Sequence, residues 1–346
     1  MKNSNRCKVI ALLLSLTDES EETDMKAAVL HELGQPPRYE EFPDPVPASG
    51  EVIVRVKAAS IKNIDKMMAR GTHYDSHSHL PVIVGTDGVG VLEDGTRVFC
   101  GGSRRPYGMM AELTVVPRAR CMPVPDGVDD AVAAALPNPA LSSWLPLVWR
   151  AQLKPGETVL IIGATGVAGK LAIQVAKILG AGRVVAAGRN EQVLKSLYDL
   201  GADSTVSLNL PDQELIAAFA REAGKGNFDV ILDFLWGRPT EVLLNVLTGH
   251  DLNRVSLRNR LVEIGEMAGP TITLRAEALR SSGVEIYGSG GGGIIPPKVI
   301  FDTLPKVWEL AMAGKLRIDV EKVPLSDIEN AWQRQDLHGG RLVVIP

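Results

Sequence analysis

The stretch Val159-Leu160-Ile161-Ile162-Gly163-Ala164-Thr165-Gly166-Val167-Ala168-Gly169 constrains this chain more than any other. An apolar run, TVLIIGA over 158–164, reads as a buried strand. GVAGKLAIQVAKILGA, over 166–181, reads as an amphipathic helix that ends at a glycine. Between strand and helix, Gly163 permits a tight turn. Gly166 lets the backbone approach a diphosphate, and Gly169 lets the helix pack closely on the strand. The first-turn amides and the helix dipole then face an anion. Gly163, Ala164, Thr165, Gly166, Val167 and Ala168 are therefore the candidate cofactor-binding residues of this turn. A Walker A reading fails, because its first glycine would fall on Ala164 and Lys170 is followed by Leu171. The alternative is a glycine turn that binds nothing.

The sequence around the turn supplies the rest of a parallel sheet. RVVAAGR (183–189), FDVILDFL (228–235), RLVEIGE (260–266) and VEIYGSG (284–290) read as strands, with helical stretches such as EQVLKSLYDLG between them. Near-continuous apolar strands alternating with helices predict a doubly wound α/β sheet. Residues 25 to about 130 look different. EVIVRVKAAS (51–60) alternates with period two, PVIVGTDGVGVL (81–92) is apolar with bend-forming glycines, and Pro/Gly/Asp punctuation is dense. This predicts a small all-β or α+β unit of barrel type. DDAVAAALPNPALSSWLPLVWRA reads as helix, proline-broken loop and helix. The last segment, from Leu316, returns to strand, helix and strand and is expected to rejoin the first unit. Residues 1–24 match neither unit: Lys2, Arg6 and Lys8 precede a short apolar run and an acidic patch. They read as an upstream extension. A signal peptide is the alternative, although no A-x-A-like cleavage site follows.

Composition narrows the function. With 346 residues, a two-domain chain can bury a large core without disulfides or metals. A net charge of −4 argues against nucleic acid as the main partner. The apolar run near the N-terminus is too short to span a membrane. Three cysteines, Cys7, Cys100 and Cys121, suit a reducing, cytoplasmic compartment and exclude a four-thiolate zinc lobe. His73, His77 and His79 are the one tempting metal cluster, but GTHYDSHSHL reads as a solvated loop.

The end of the second strand selects the cofactor. A carboxylate there would bind the ribose 2′-hydroxyl of NAD. This chain places Gly188-Arg189-Asn190, and the first acid is Glu191, past the turn. The guanidinium of Arg189 suits a 2′-phosphate, which predicts NADPH over NADH.

With these elements in order, the span Met25–Pro346 resembles the medium-chain dehydrogenase/reductase superfamily, and within it the zinc-independent quinone oxidoreductases. GATGVAG, GTDGVG (85–90), YGMMAEL (107–113), AAALPNPALSSW (133–144) and GADS (201–204) carry the resemblance. It implies a Rossmann doubly wound parallel sheet at 131–315 and a GroES-like β-rich substrate domain at 25–130 and 316–346. Zinc-dependent members carry a Cys where this chain reads Ile61-Lys62-Asn63-Ile64-Asp65, and Gly-His-Glu where it reads Gly85-Thr86-Asp87. The resemblance therefore implies no metal. It places Asn63 and Asp65 beside the nicotinamide and Ser142 at the carboxamide. Leu235, Trp236, Gly265 and Glu266 fall at strand ends along the cofactor, and Gly290 near the substrate mouth. The sequence departs from the pattern at Met67, where a Tyr is common, at Gln192, where some relatives hold the 2′-phosphate with Lys, and in a short Gly90–Arg97 loop.

The expected activity is NADPH-dependent reduction of a quinone or α,β-unsaturated carbonyl. Asp65 and Tyr74 are the candidates for proton relay, and relatives commonly form homodimers. An NADPH-binding sensor or scaffold and an NADP-linked carbonyl or alcohol oxidoreductase are the competing readings.

Overall fold

The computed structural model describes residues 24–224, 227–248, 258–280, 282–290 and 296–346. The expectation for residues 1–24 lies outside them, apart from Asp24, which already pairs with Pro43 in the first strand. The first part of the chain contributes β1 (Asp24–Leu30), β2 (Arg38–Pro43), β3 (Glu51–Ser60), β4 (Val82–Ile83), β5 (Asp87–Val91), β6 (Arg97–Gly101), β7 (Leu113–Pro117) and β8 (Met122–Pro123). It is followed by β9 (Thr158–Ile162), β10 (Arg183–Gly188), β11 (Ser204–Ser207), β12 (Val230–Asp233), β13 (Asn259–Glu263) and β14 (Val284–Gly288). Two further strands, β15 (Val320–Pro324) and β16 (Arg341–Ile345), close the chain.

β9 to β14 form one parallel sheet in the order β11-β10-β9-β12-β13-β14. This is the Rossmann order, and the strand order reverses between β9 and β12. Ligands of such sheets lie beyond the strand ends at that switch point. β9 is buried along its whole length, which explains its unbroken apolar sequence. β3 shows the burial alternation of a half-covered strand and carries the second sheet, β15-β16-β3-β5-β6-β8, with β7 also on β3. β16 runs antiparallel against the end of β3, so the C-terminal segment returns to the sheet of the first part of the chain, the second sheet.

The proline-rich connection differs from the expected broken loop. Helices Asp130–Ala135 and Pro137–Leu145 follow one another directly, and a π-helical turn, Pro146–Arg150, continues them. Pro137 and Pro139 stand in a helix's first turn and Pro146 opens the next, where a missing N–H forfeits no bond. The alanines of the first helix are buried against β3, β5 and β16, and Pro137–Leu145 packs on Val167–Ile178. One apolar cluster thus joins Ala58, Val89 and Val343 of the second sheet to Val159 and Ile161 of the first and to Leu171 of the helix packed on it.

The turn after β9 is set by clearance. Gly163 has φ +94°. A Cβ on Gly169 would sit 2.3 Å from the Gly163 carbonyl oxygen, and one on Gly188 would sit 2.4 Å from Thr165 Cγ2. The Gly169 conflict is with backbone and has no rotamer escape. Gly169→Ala is therefore expected to cost roughly 1–3 kcal/mol, as overpacking does. Calorimetry should show a thermal midpoint lowered by several degrees with or without nucleotide.

Candidate active site

The turn is built to leave amides free. Gly163 N and Ala164 N both donate to Ala187 O at 2.9 Å, and Gly166 N donates to Gly163 O at 3.1 Å. Lys170 N makes the first intrahelical bond, to Gly166 O. The amides of Val167, Ala168 and Gly169 precede it and point out of the helix N-terminus. Gly166 is exposed, its φ of −82° suits any residue, and an added Cβ would meet only Gly163 O, at 3.5 Å. Nothing within the chain requires a glycine there, so the space it leaves suits an incoming diphosphate.

At the end of β10, Arg189 is exposed, and among the described residues no ion pair engages its guanidinium. Asn190 caps the next helix through Oδ1, which accepts from Gln192 N and Val193 N at 3.1 Å. Glu191, the nearest acid, is occupied with the Ser207 hydroxyl. Opposite, Asp233 ends β12 fully buried. Its Oδ1 accepts from Leu235 N and Trp236 N at 2.9 Å, and its Oδ2 from Thr240 Oγ1. This holds Leu235 and Trp236 at the switch point, and Trp236 takes a left-handed φ of +54°. Gly265 and Glu266 follow β13, Gly265 N donating to Asp233 O and Ala268 N to Leu235 O. Gly290 is exposed beyond β14; Gly291–Gly293 and His250 lie outside the described residues.

The second sheet supplies the floor. Asn63 Nδ2 reaches Met267 Sδ across the cleft at 3.8 Å. Beneath it lies a buried ion cluster. Lys62 Nζ donates to Asp87 Oδ1 at 2.9 Å and to Ser60 O at 3.3 Å, and stands 3.4 Å from Asp65 Oδ2. Asp65 Oδ2 also accepts from Lys62 N at 2.8 Å, and Oδ1 from both Thr86 N and Thr86 Oγ1 at 3.0 Å. Arg341, from β16, donates to Ile61 O at 3.0 Å and feels both carboxylates. Burial opposes the charge on Lys62, but Asp65 and then Asp87 outweigh it and hold its pKa above the ordinary lysine value. Two cations and two anions balance. The ion pair and the Asp65–Thr86 bonds join the same two stretches that carry metal ligands in zinc-dependent dehydrogenases. Among the described residues no group of three or more His, Cys, Asp or Glu is arranged to hold a metal.

The remaining expected residues separate. Asp65 is in the cluster, 2% exposed with both oxygens engaged, which suits positioning of Lys62 and Thr86. Tyr74 is 83% exposed and lies against the His73 ring. Ser142 donates to Asn138 O at 2.9 Å within its own helix. Its neighbour Ser143, buried, reaches Ala168 O at 2.9 Å and ties that helix to the cofactor turn. Sequence reasoning missed Ser143, Lys62, Asp87 and Arg341. The available signals were a lysine two residues after the apolar strand end AAS and an aspartate within the glycine-rich strand start.

Fold and site together define a nucleotide-dependent dehydrogenase with a Rossmann unit and a GroES-like unit. Two family descriptions match, alcohol dehydrogenase GroES-like domain over 48–126 and zinc-binding dehydrogenase over 167–311, together well over half of the chain. The chain is 27% identical to a probable NADPH-dependent quinone reductase of Emericella nidulans, over 93% of this chain and 100% of that one. Among solved structures it is similar to the quinone oxidoreductase of Thermus thermophilus, solved also as its NADPH complex, at 29% identity and a TM-score of 0.75 over 93% and 100% of the two chains. It is also similar to a cobalt- and zinc-bound alcohol dehydrogenase of Pyrobaculum aerophilum, at 25% identity and a TM-score of 0.74 over 94% and 100%. The chain belongs to the medium-chain dehydrogenase/reductase superfamily, in its quinone oxidoreductase branch.

Removing one member of the ion cluster leaves a buried charge unpaired. Lys62→Met is expected to destabilise the protein by roughly 3–5 kcal/mol. Lys62→Met combined with Asp87→Leu should recover a substantial part of that loss in denaturant unfolding, because no unpaired charge then faces Asp65 and Arg341. Equal loss in the single and double variants would show that the pair is not coupled.

Proposed function

We propose that this protein is an NADPH-dependent oxidoreductase that reduces a quinone or an α,β-unsaturated carbonyl without zinc. The observation that carries the reading is the pairing of an exposed Gly166, which the fold itself does not require, with an exposed Arg189 at the end of the adjoining strand that no ion pair engages among the described residues. Bound NADPH supplies the reducing equivalent. The chain supplies position and polarity. Gly163, Ala164, Thr165, Gly166, Val167 and Ala168 hold the diphosphate, and Gly188, Arg189 and Asn190 hold the adenosine ribose and its phosphate. Leu235, Trp236, Gly265 and Glu266 line the nicotinamide half, with Gly290 at the mouth. Asn63 and Ser142 orient the nicotinamide end. Asp65 acts by fixing Lys62 and Thr86 under the cleft, and Tyr74, on its exposed loop, is the candidate to meet the substrate from outside.

The GroES-like unit comprises 25–130 and 316–346 and the Rossmann unit 131–315; both matched segments fall inside these bounds. We place the protein in the cytoplasm as a homodimer. Sparse cysteines support the compartment, and the open β14 edge of the parallel sheet offers a pairing surface. Among the described residues no helix is long and apolar enough to cross a membrane.

Fluorescence titration should show NADPH binding at least about tenfold more tightly than NADH, and Arg189→Glu should abolish that preference, since a charge-assisted bond is worth ~1.5–3 kcal/mol. Equal affinity of the native protein for both nucleotides defeats the assignment. Gly166→Ala should weaken NADPH binding while leaving stability within ~0.5 kcal/mol, the opposite of the Gly169 variant. Steady NADPH oxidation with quinones and enones should survive dialysis against a zinc chelator. Binding without turnover would favour a sensor, and an unsaturated alcohol as the product would favour a carbonyl reductase.

A further inference from the structure

Outside the cofactor site, two of the three cysteines stand opposite each other. β6 and β8 run antiparallel, with Val98 facing Pro123 and Phe99 facing Met122, so the next pair is Cys100 with Cys121. Val124 N donates to Arg97 O at 3.1 Å, which makes Arg97/Val124 a hydrogen-bonded pair. Alternation then makes Cys100/Cys121 a non-hydrogen-bonded pair, whose Cα atoms lie about 4.5 Å apart. That is inside the ~4.4–6.8 Å a disulfide spans. The side chains also share a face. Phe99, Gly101, Arg120 and Met122, the residues on either side of the two cysteines, line a cavity of about 210 Å³ on one side of the ribbon. Cys100 and Cys121 turn to the other, where Cys100 is part of one apolar cluster and Cys121 packs against it.

The two thiols are unequal. Cys100 is fully buried and Cys121 part-exposed. The hydrogen bond between them, and then burial, push the Cys100 thiol well above its usual range. The same bond draws the Cys121 thiol down, with Arg118 adding to the effect. The accessible sulfur is therefore the one with more thiolate, and a second thiol stands behind it.

We propose that Cys100 and Cys121 form a reversible redox site, in which a hydroperoxide converts the pair to an intrachain disulfide. The Cys121 thiolate attacks the peroxide O–O bond, giving a sulfenic acid and hydroxide. The Cys100 sulfur then attacks the Cys121 sulfur, forming the S–S bond, and the sulfenic oxygen leaves as water with the Cys100 proton. Two thiols and one hydrogen peroxide become one disulfide and two waters. A thiol reductant restores both thiols by exchange.

The test treats the full-length protein with hydrogen peroxide, blocks remaining thiols in denaturant and maps peptides without reduction. Native protein should go from three titratable thiols to one. The tryptic peptide 98–104 should become linked to 121–150, and dithiothreitol should release it. Cys121→Ser should remove the linkage, and Cys100→Ala should trap a sulfenic acid on Cys121 that dimedone labels. Should the buried substitution impair folding, the exposed one still decides the matter. Retention of all three thiols overturns the proposal. So does accumulation of sulfinic acid on Cys121 without linkage, or linkage through Cys7 in its place.

Discussion

The closeness of the helix Val167–Ile178 to the turn behind β9 is the constraint on which the rest of the molecule depends. Gly169 lies so near Gly163 that a single methyl group would enter the van der Waals space of a backbone oxygen. A helix seated that deeply brings its free amides level with the strand ends. Its dipole then adds to those amides at one point, and an anion held there needs no lysine. The same seating brings Thr165 against Gly188, so the first and second strands of the sheet share one turn.

On the opposite wall the chain solves a different problem. Lys62, Asp65, Asp87 and Arg341 bring four charges out of water, which is costly even for well-paired ions. Asp65 is the most firmly held, accepting from Lys62 N, Thr86 N and Thr86 Oγ1. What the cluster fixes is geometry. It cross-links the segment after β3 to the start of β5 through side chains of this chain alone. An ammonium and a guanidinium differ from a divalent ion in lacking a vacant coordination position, so a substrate oxygen has no inner-sphere site in the cluster. On the proposed reading, activation of a carbonyl there would rest on hydrogen bonding and on the electrophilicity of the substrate itself. That fits an acceptor already electron-poor better than an unactivated alcohol or ketone.

The readable and unreadable parts of the sequence divide by range. β9, its turn and the start of its helix are encoded within about a dozen consecutive positions, and each glycine there has a local reason. The parallel sheet is legible because buried strands must be apolar along their length. The ion cluster is not, because Asp87 lies 25 residues and Arg341 nearly the whole chain away from their partners. A lysine after AAS looks like any solvated strand end until the fold closes over it. The prolines of PNPALSSWLP suggested a break because their cost in a helix interior is large. Their placement at first-turn positions, set by where the preceding helix stops, removed that cost. Tyr74 drew attention as a substitute for the family's Tyr, whose place Met67 takes, and the structure places it at the surface beside His73.

The C-terminal strand connects these two solutions. Arg341 anchors one end of the return loop to Ile61 beside the ion cluster. Two residues earlier, Gly339 adopts φ +81° and passes so close to Thr165 O that a Cβ would lie 2.4 Å from it. His338, itself at a left-handed φ, reaches the Asn190 side chain at 3.3 Å. Lys170 adds an ion pair to Asp319 at 3.0 Å, and Gln174 bonds both the amide and the carbonyl of Arg317. The short segment 338–341 therefore touches the floor of the cleft, the diphosphate turn and the end of β10. The spacing between cofactor wall and substrate wall is set by this covalent strap and not by the loop tips. Strain at His338 accompanies that spacing, and such strain persists only where surrounding contacts over-determine the backbone. The return of the last strand to the second sheet is thus part of the active site's construction as much as of the fold.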